Sequence, residues 1–281
     1  MIVVTGATGN VGRILTASLA DAGEKVTAVS RGVTSVALPE AIIHRAADLT
    51  DLVAVRDVLD GADALFLIIA GSQLFGEPEP AQLLAAVTAA GVGRVVLLSS
   101  QATTTRPESL SHRRLREYEA VVRAAGLEWT ILQPGAFHSN ALAWAPTVRA
   151  ERRVVAPFGD VGLRLIDPAD IAAVAERVLR EPGHHGRTYL LTGPVAVTPR
   201  QQVAALSAAL GEPVDFTELT RDQALAGLTS QVPTAVAEGV LDLLGSPTRE
   251  ELDAPSAVEQ VLGRPPRPFE VWARENKAAF T

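Results

Sequence analysis

Gly6, Gly9 and Gly12 recur three apart in the string Gly6-Ala7-Thr8-Gly9-Asn10-Val11-Gly12, directly after the apolar run Ile2 to Thr5. Glycine at such a turn admits a left-handed backbone and lets main-chain N–H groups approach a phosphate. The helix that follows offers its positive end to the same anion. The chemistry is pyrophosphate binding. A second group of matching reach ends the next strand-like run, Lys25 to Ser30, where Arg31 follows directly. An NAD site usually carries a carboxylate there for the ribose hydroxyls. A guanidinium instead makes paired, charge-assisted bonds to a 2′-phosphate. NADP(H) is therefore the expected cofactor, against the reading that Arg31 is a solvated loop residue.

Further polar groups end later apolar runs. Ser99 and Ser100 are suited to the nicotinamide ribose or a substrate carbonyl, or else they cap a strand end. Backbone groups at Gln133, Pro134 and Gly135 are placed to hold the nicotinamide carboxamide. His138 follows as the best-placed titratable group for acid–base work, with Phe137, Asn140 and Trp144 as candidates for substrate contact. Asp48 reads as an adenine contact or a helix cap, and Ile68, Ile69 and Ala70 as an apolar wall beside the cofactor or plain core. Short-chain dehydrogenases commonly use Tyr-x-x-x-Lys, in which the cation assists proton transfer from the tyrosine. The two tyrosines, Tyr118 and Tyr189, have Val122 and Gly193 four residues on, and the two lysines are Lys25 and Lys277. The pair is absent. Tyr118 remains a candidate proton donor or a buried helix residue.

These groups need a frame. Asn10 to Ala22 has the apolar spacing of a helix and stops at Gly23. Strands are expected at 42–45, 64–69, 94–99 and 128–133, with helices at 52–59, 80–90 and 111–125. Strands apolar on both faces, alternating with helices, make a parallel sheet covered on two sides, with ligands at the carboxyl ends of the strands. After Gln133 a loop-rich stretch is expected to about Ile166, then a helix at 167–179, a strand at 187–192, a helix at 199–210, a short strand at 214–218 and a punctuated helical remainder. The expected architecture is a doubly wound Rossmann-type α/β domain over residues 1–135, with a small discontinuous α/β C-terminal substrate lobe over 136–281. Segments at about 160–192 return to the sheet.

Composition removes several classes. There is no cysteine, hence no disulfide, thiol nucleophile or cysteine metal site. The net charge of −7, without a basic block, argues against direct nucleic-acid binding. No apolar run reaches the ~20 residues of a membrane helix. The chain enters its first strand directly, so no signal peptide and a cytoplasmic location are expected. His184 and His185 are adjacent in a turn of Pro and Gly and do not make a metal pair, so no metal site is expected.

Taken together, the strings TGATGNVGR (Thr5 to Arg13), VSR (Val29 to Arg31), ADLTD (Ala47 to Asp51), LEWTILQPGAFHSN (Leu127 to Asn140), IDPADIAAVAERVL (Ile166 to Leu179), LTGPVAVT (Leu191 to Thr198) and GRPPRPFEVWARENKAAF (Gly263 to Phe280) resemble the NmrA-like family of atypical short-chain dehydrogenases/reductases. That family includes NAD(P)H-dependent quinone reductases, isoflavone-reductase-like enzymes and redox-sensing regulators. The resemblance implies cofactor contacts at Gly6, Thr8, Gly9, Asn10, Val11, Arg31, Asp48 and the Pro134 loop. Two positions depart from the family. Gln133 stands where Arg is usual, and Leu115 stands where a His or Lys often precedes the glutamate matching Glu119 by four residues. The expected function is NADPH-dependent reduction of a quinone, enone or other carbonyl of a small apolar molecule, with a homodimer as a possible assembly. The proton would come from water, His138 or Tyr118, with Ser100 as a further catalytic candidate. The alternatives are a non-catalytic NADP(H) sensor that binds a protein partner and a redox-neutral isomerase or epimerase that retains the cofactor.

Overall fold

Successive strand residues face opposite sides of a sheet, and here both sides are apolar, so these strands are satisfied only in a sheet covered on both faces. The computed structural model describes residues 1–32, 42–69, 74, 76, 78–253 and 255–281. The strands are β1 Ile2–Thr5, β2 Val26–Ser30, β3 Ile42–Ala46, β4 Ala64–Ile68, β5 Arg94–Leu98, β6 Glu128–Pro134, β7 Arg153–Pro157, β8 Arg187–Leu191 and β9 Asp215–Leu219. Among the described residues, seven of them form one sheet in the order β3-β2-β1-β4-β5-β6-β8, and β7 pairs with β9 in a second. The pairings of β1 with β2, β2 with β3, β1 with β4, β4 with β5 and β5 with β6 are all parallel. The winding direction reverses between β1 and β4, which opens a crevice at their carboxyl ends.

The helices are α1 Gly12–Asp21, α2 Leu52–Leu59, α3 Pro80–Ala89, α4 Ala102–Thr105, α5 Arg113–Ala124, α6 Ala145–Glu151, α7 Pro168–Arg180, α8 Pro199–Leu210, α9 Arg221–Thr229, α10 Thr234–Gly245, α11 Arg249–Asp253, α12 Ala257–Leu262 and α13 Phe269–Glu275. The chain forms two compact units. The first contains Met1–Thr103, His112–Pro134 and Pro168–Tyr189; the second contains Thr104–Ser111, Gly135–Asp167 and Leu190–Thr281.

In the first unit, Val3, Val29, Leu65, Leu67, Val95, Leu97 and Ile131 point to one face of the sheet. They share a core with side chains of α2, α3 and α5, among them Val55, Leu83 and Tyr118. Elsewhere in the unit α1 packs on α7. The buried residues of α7 include Ile171, Ala172, Val174, Ala175, Val178 and Leu179, a wide apolar stripe. Each large side chain so buried is worth ~1.5–3 kcal/mol. Thr5 joins the two strands at the switch point. Its hydroxyl donates to Phe66 O at 3.0 Å and accepts from Ile68 N–H at 2.8 Å.

The second unit corrects one expectation. The stretch from Pro134 to Ile166 is not mainly loop: it contains a 3₁₀ segment His138–Trp144, then α6 and β7. β7 was illegible because it is short, ends on Pro157 and finds its partner far along the chain, running parallel from Arg153↔Asp215 to Pro157↔Leu219. The core of this unit gathers Val148, Val154, Leu206, Phe269, Trp272 and Phe280. Trp272 meets Phe269 and Phe280 at ring-centroid distances of 5.3 and 6.4 Å.

Candidate functional site

The glycine turn is built by close backbone approach. Gly6 has φ +62°, a conformation that L side chains rarely adopt, and a Cβ on Gly12 would lie 2.2 Å from Gly6 O. No larger residue fits at Gly12 without moving the turn. Gly9 N–H donates to Gly6 O at 2.9 Å, and Ala7 N–H donates to Val29 O at 3.1 Å, which ties the turn to β2. Thr8, Gly9 and Asn10 are exposed, whereas Val11 is buried at the start of α1. The start of α1 has no side-chain cap. By contrast α2 is capped by Asp51, whose carboxylate accepts from Val53 N–H at 2.9 Å and Ala54 N–H at 3.2 Å. An uncapped helix start beneath a glycine turn suits an anion, which supplies the missing acceptor and meets the positive end of the helix dipole. The residues present therefore fit a dinucleotide pyrophosphate.

Beside this turn, Ser30 holds the backbone around exposed Arg31. Its hydroxyl donates to Gly32 O at 2.8 Å and also lies 2.7 Å from His44 Nε2. A hydroxyl carries one hydrogen, so with that hydrogen on Gly32 the imidazole Nε2–H must donate to Ser30. His44 lies on β3, where Ala28 is its register partner. Asp48 is half-exposed, and its carboxylate accepts from Thr50 N–H at 2.9 Å. It closes the turn before α2, while Asp51 does the capping.

The two readings of the apolar wall, cofactor neighbour or plain core, divide between its residues. Ile69 is buried in the core shared with α2, α3 and α5, whereas the half-buried Ile68 lies over the turn, its Cδ1 3.2 Å from a Cβ built on Gly6. Strand alternation sends the two neighbours to opposite faces. Ala70 lies outside the described residues.

The ends of β5 and β6 carry a buried polar cluster. Glu119, on α5, is 4% exposed. Its Oε1 accepts from Ser99 Oγ, from Thr103 Oγ1 at 2.7 Å and from Gln133 Nε2 at 2.9 Å. Its Oε2 accepts from the Arg123 guanidinium at 2.9 Å. Gln133 Nε2 also donates to Thr103 Oγ1 at 2.9 Å. Ser100 is half-buried; its Oγ accepts from Ala102 N–H at 3.2 Å, and its carbonyl lies 2.7 Å from Thr103 Oγ1. Sequence reasoning had Ser99, Ser100 and Gln133 but neither Thr103 nor the joining role of Glu119. Pro134 O accepts from Gln101 N–H at 2.9 Å, and Gly135 N–H donates to Leu191 O at 2.9 Å. The Gly135 N–H is thus committed within the protein, a correction to its expected role at a carboxamide.

Of the two readings of Tyr118 the structure has the buried helix residue, and the expectation of His138 as a proton donor is corrected. Tyr118 is 0% exposed, and its hydroxyl points to Pro78 O at 3.5 Å. Burial pushes its pKa up, against the opposing charge of Arg114, whose guanidinium carbon lies 5.7 Å from the ring centroid. His138 is 1% exposed and stands edge-on to Phe269 and Trp272, with centroids 5.2 and 6.4 Å away. Neither side chain presents a hydrogen to solvent. Phe137 is half-buried, Asn140 exposed and Trp144 half-buried; all three belong to the second unit. No group of metal-ligating side chains occurs among the described residues, and none of their helices is long and apolar enough to cross a membrane.

A family model described as NAD(P)H-binding matches residues 6–182. The chain belongs to the NAD(P)H-binding family. Two relatives extend the match to the whole chain. One is the (4-alkanoyl-5-oxo-2,5-dihydrofuran-3-yl)methyl phosphate reductase of Streptomyces griseus subsp. griseus, 39% identical over 100% of this chain and 99% of its own. The other is the NAD(P)H azoreductase of Xenophilus azovorans, 31% identical over 100% and 99%. Among solved structures, the NADPH-dependent quinone oxidoreductase of Escherichia coli complexed with NADPH superposes with a TM-score of 0.78. It is 28% identical and matched over 98% of this chain and 99% of that one. This NAD(P)H-binding protein is an oxidoreductase with a Rossmann-type fold and a nicotinamide dinucleotide cofactor.

Proposed function

We propose that this reductase uses NADPH to reduce conjugated acceptors, enones and quinones within small apolar molecules, and that an acyl-butenolide is the first substrate to test. The observation that carries the reading is the sealing of the candidate acids: Tyr118 and His138 are 0% and 1% exposed. Bound NADPH supplies a hydride from C4 of its nicotinamide ring. A simple ketone reduced this way becomes an alkoxide, a strong base that needs a general acid close by. A conjugated acceptor spreads the charge onto a remote oxygen, for which a hydrogen-bond donor suffices, and water delivers the proton.

Ser100 is the donor suited to that oxygen. Its Oγ accepts from Ala102 N–H, which directs its own hydrogen elsewhere. Arg31, with no carboxylate beside it at the end of β2, supports NADPH over NADH through its guanidinium. The Streptomyces griseus relative is named for a dihydrofuranone whose ring double bond is conjugated with two carbonyls.

The test mixes the NADPH complex with an acyl-butenolide, a quinone and a saturated ketone of equal size, and follows NADPH absorbance. Rapid loss with the conjugated acceptors and little with the ketone supports the reading. Turnover confined to the saturated ketone overturns it.

A further inference from the structure

Glu119 is a buried carboxylate that hydride transfer itself does not use, and Ser99, Thr103, Gln133 and Arg123 all donate to it. Its Oε1 gathers groups from three elements: Ser99 after β5, Thr103 in α4 and Gln133 in β6. Together they close the turn that carries Ser100. Ser99 holds one side of that turn. Thr103 stands on the other, its hydroxyl 2.7 Å from both Ser100 O and Glu119 Oε1, with one hydrogen that serves one of these acceptors at a time. Arg123 neutralises the far oxygen across an i,i+4 pair on α5. A buried acceptor with several donors is costly to disturb, because each donor left unpaired keeps its desolvation penalty. The cluster is therefore stiff, and it stands under a half-buried hydroxyl at the ligand-binding edge of the sheet.

We propose that Glu119 is a positioning residue for the reaction: by holding Ser99, Thr103 and Gln133 on one oxygen it fixes the Ser99–Thr103 turn and aims the Ser100 hydroxyl at the acceptor oxygen. The inference rests on the conjugated-acceptor reading for its kinetic consequence, but not for its structural one. Arg123 supplies the counter-charge on Oε2, while Gln133 donates to Oε1.

Glu119→Gln keeps the shape but faces an amide N–H₂ toward either Arg123 or the three donors. One set is lost whichever way it turns. The test has two arms. In the first, hydrogen exchange is followed in the wild type and Glu119→Gln without substrate. Faster exchange confined to the amides of 99–103, at unchanged NADPH affinity, is expected. In the second, kcat is measured for Glu119→Gln, Ser100→Ala and the double variant with the acyl-butenolide. Each single change is expected to lower kcat roughly tenfold or more with little change in KM, and the double variant to fall no further than the worse single one. Thr103→Val removes one link without touching the carboxylate and should behave likewise if Glu119→Gln folds poorly. Losses that multiply in the double variant, or unchanged exchange in 99–103, overturn the positioning role. A wild type that binds NADPH but reduces no conjugated acceptor overturns the substrate reading instead, and the exchange arm still decides the role of Glu119.

Discussion

The two ends of the cofactor edge are made of different materials. At β1 and β2 the site is backbone: a glycine turn, an uncapped helix start, and Ser30 holding the chain on either side of Arg31. At β5 and β6 it is side chain: a buried carboxylate with donors from three elements. Backbone sites tolerate no added atoms but need no partner from elsewhere in the chain. Side-chain clusters tolerate small changes of shape but depend on residues folded together from a distance. The first construction suits a ligand part common to many enzymes, and the second suits an end where the substrate varies.

Substitution separates the two constructions, and the largest effect is expected at the turn. Gly12→Ala puts a methyl group 2.2 Å from Gly6 O, so the backbone must move. Such overpacking costs ~1–3 kcal/mol. Calorimetry should show that destabilisation, and NADPH fluorescence titration a loss of affinity of about 100-fold or more. Binding that survives Gly12→Ala would break the contrast, because the turn would then be no more exacting than the cluster.

Thr5→Val comes next. It removes the hydroxyl that serves both Phe66 O and Ile68 N–H. Leaving a buried N–H unpaired costs about 1–3 kcal/mol. The midpoint of thermal unfolding should fall, with a smaller loss of NADPH affinity than for Gly12→Ala. Arg31→Ala should cost about tenfold in NADPH affinity and leave NADH nearly unchanged, as expected for one charge-assisted contact. Equal losses for both cofactors would show that Arg31 shapes the turn rather than reading the phosphate.

The mildest effect concerns the second unit and serves as a control. Burial pushes the Glu251 carboxyl up, but the Arg106 guanidinium, the Thr248 amide and the Thr105 hydroxyl outweigh it and hold its pKa below the ordinary value of 4.5. A depressed folded pKa adds stability above the unfolded value, and that stability is lost as pH falls through the folded one. Wild type should therefore lose stability on acidification below about pH 4.5, and Glu251→Gln should flatten that part of the profile without altering NADPH binding. A change in NADPH affinity would show that this ion pair matters to the cofactor end as well.

The same contrast explains what the sequence disclosed. The glycine turn, the helix after it and Arg31 lie within a single βαβ unit, so spacing alone revealed them. The alternation of apolar strands and helices fixed the order of layers for the same local reason. The cluster at Glu119 joins residues separated by 14 to 30 positions, and no local pattern marks that association. The residues at Leu115 and Gln133 were visible as departures from the family, but the bond from Gln133 Nε2 to Glu119 needed the fold. Residue type announces acid–base ability while burial decides its use: of the two readings of Tyr118 the buried helix residue is the one that stands, and His138 is sealed in a core that its own segment does not specify. β7 was missed for a related reason, since its partner strand follows some sixty positions later.

The central claim is that hydrogen from NADPH goes to the carbon end of a conjugated system rather than to a carbonyl carbon. NADPH deuterated at nicotinamide C4, turned over with an acyl-butenolide in ordinary water, tests it directly. Mass and NMR analysis of the product should place deuterium on the carbon β to the carbonyls and a solvent proton on the carbon between them. Deuterium on a newly formed carbinol carbon would contradict the account.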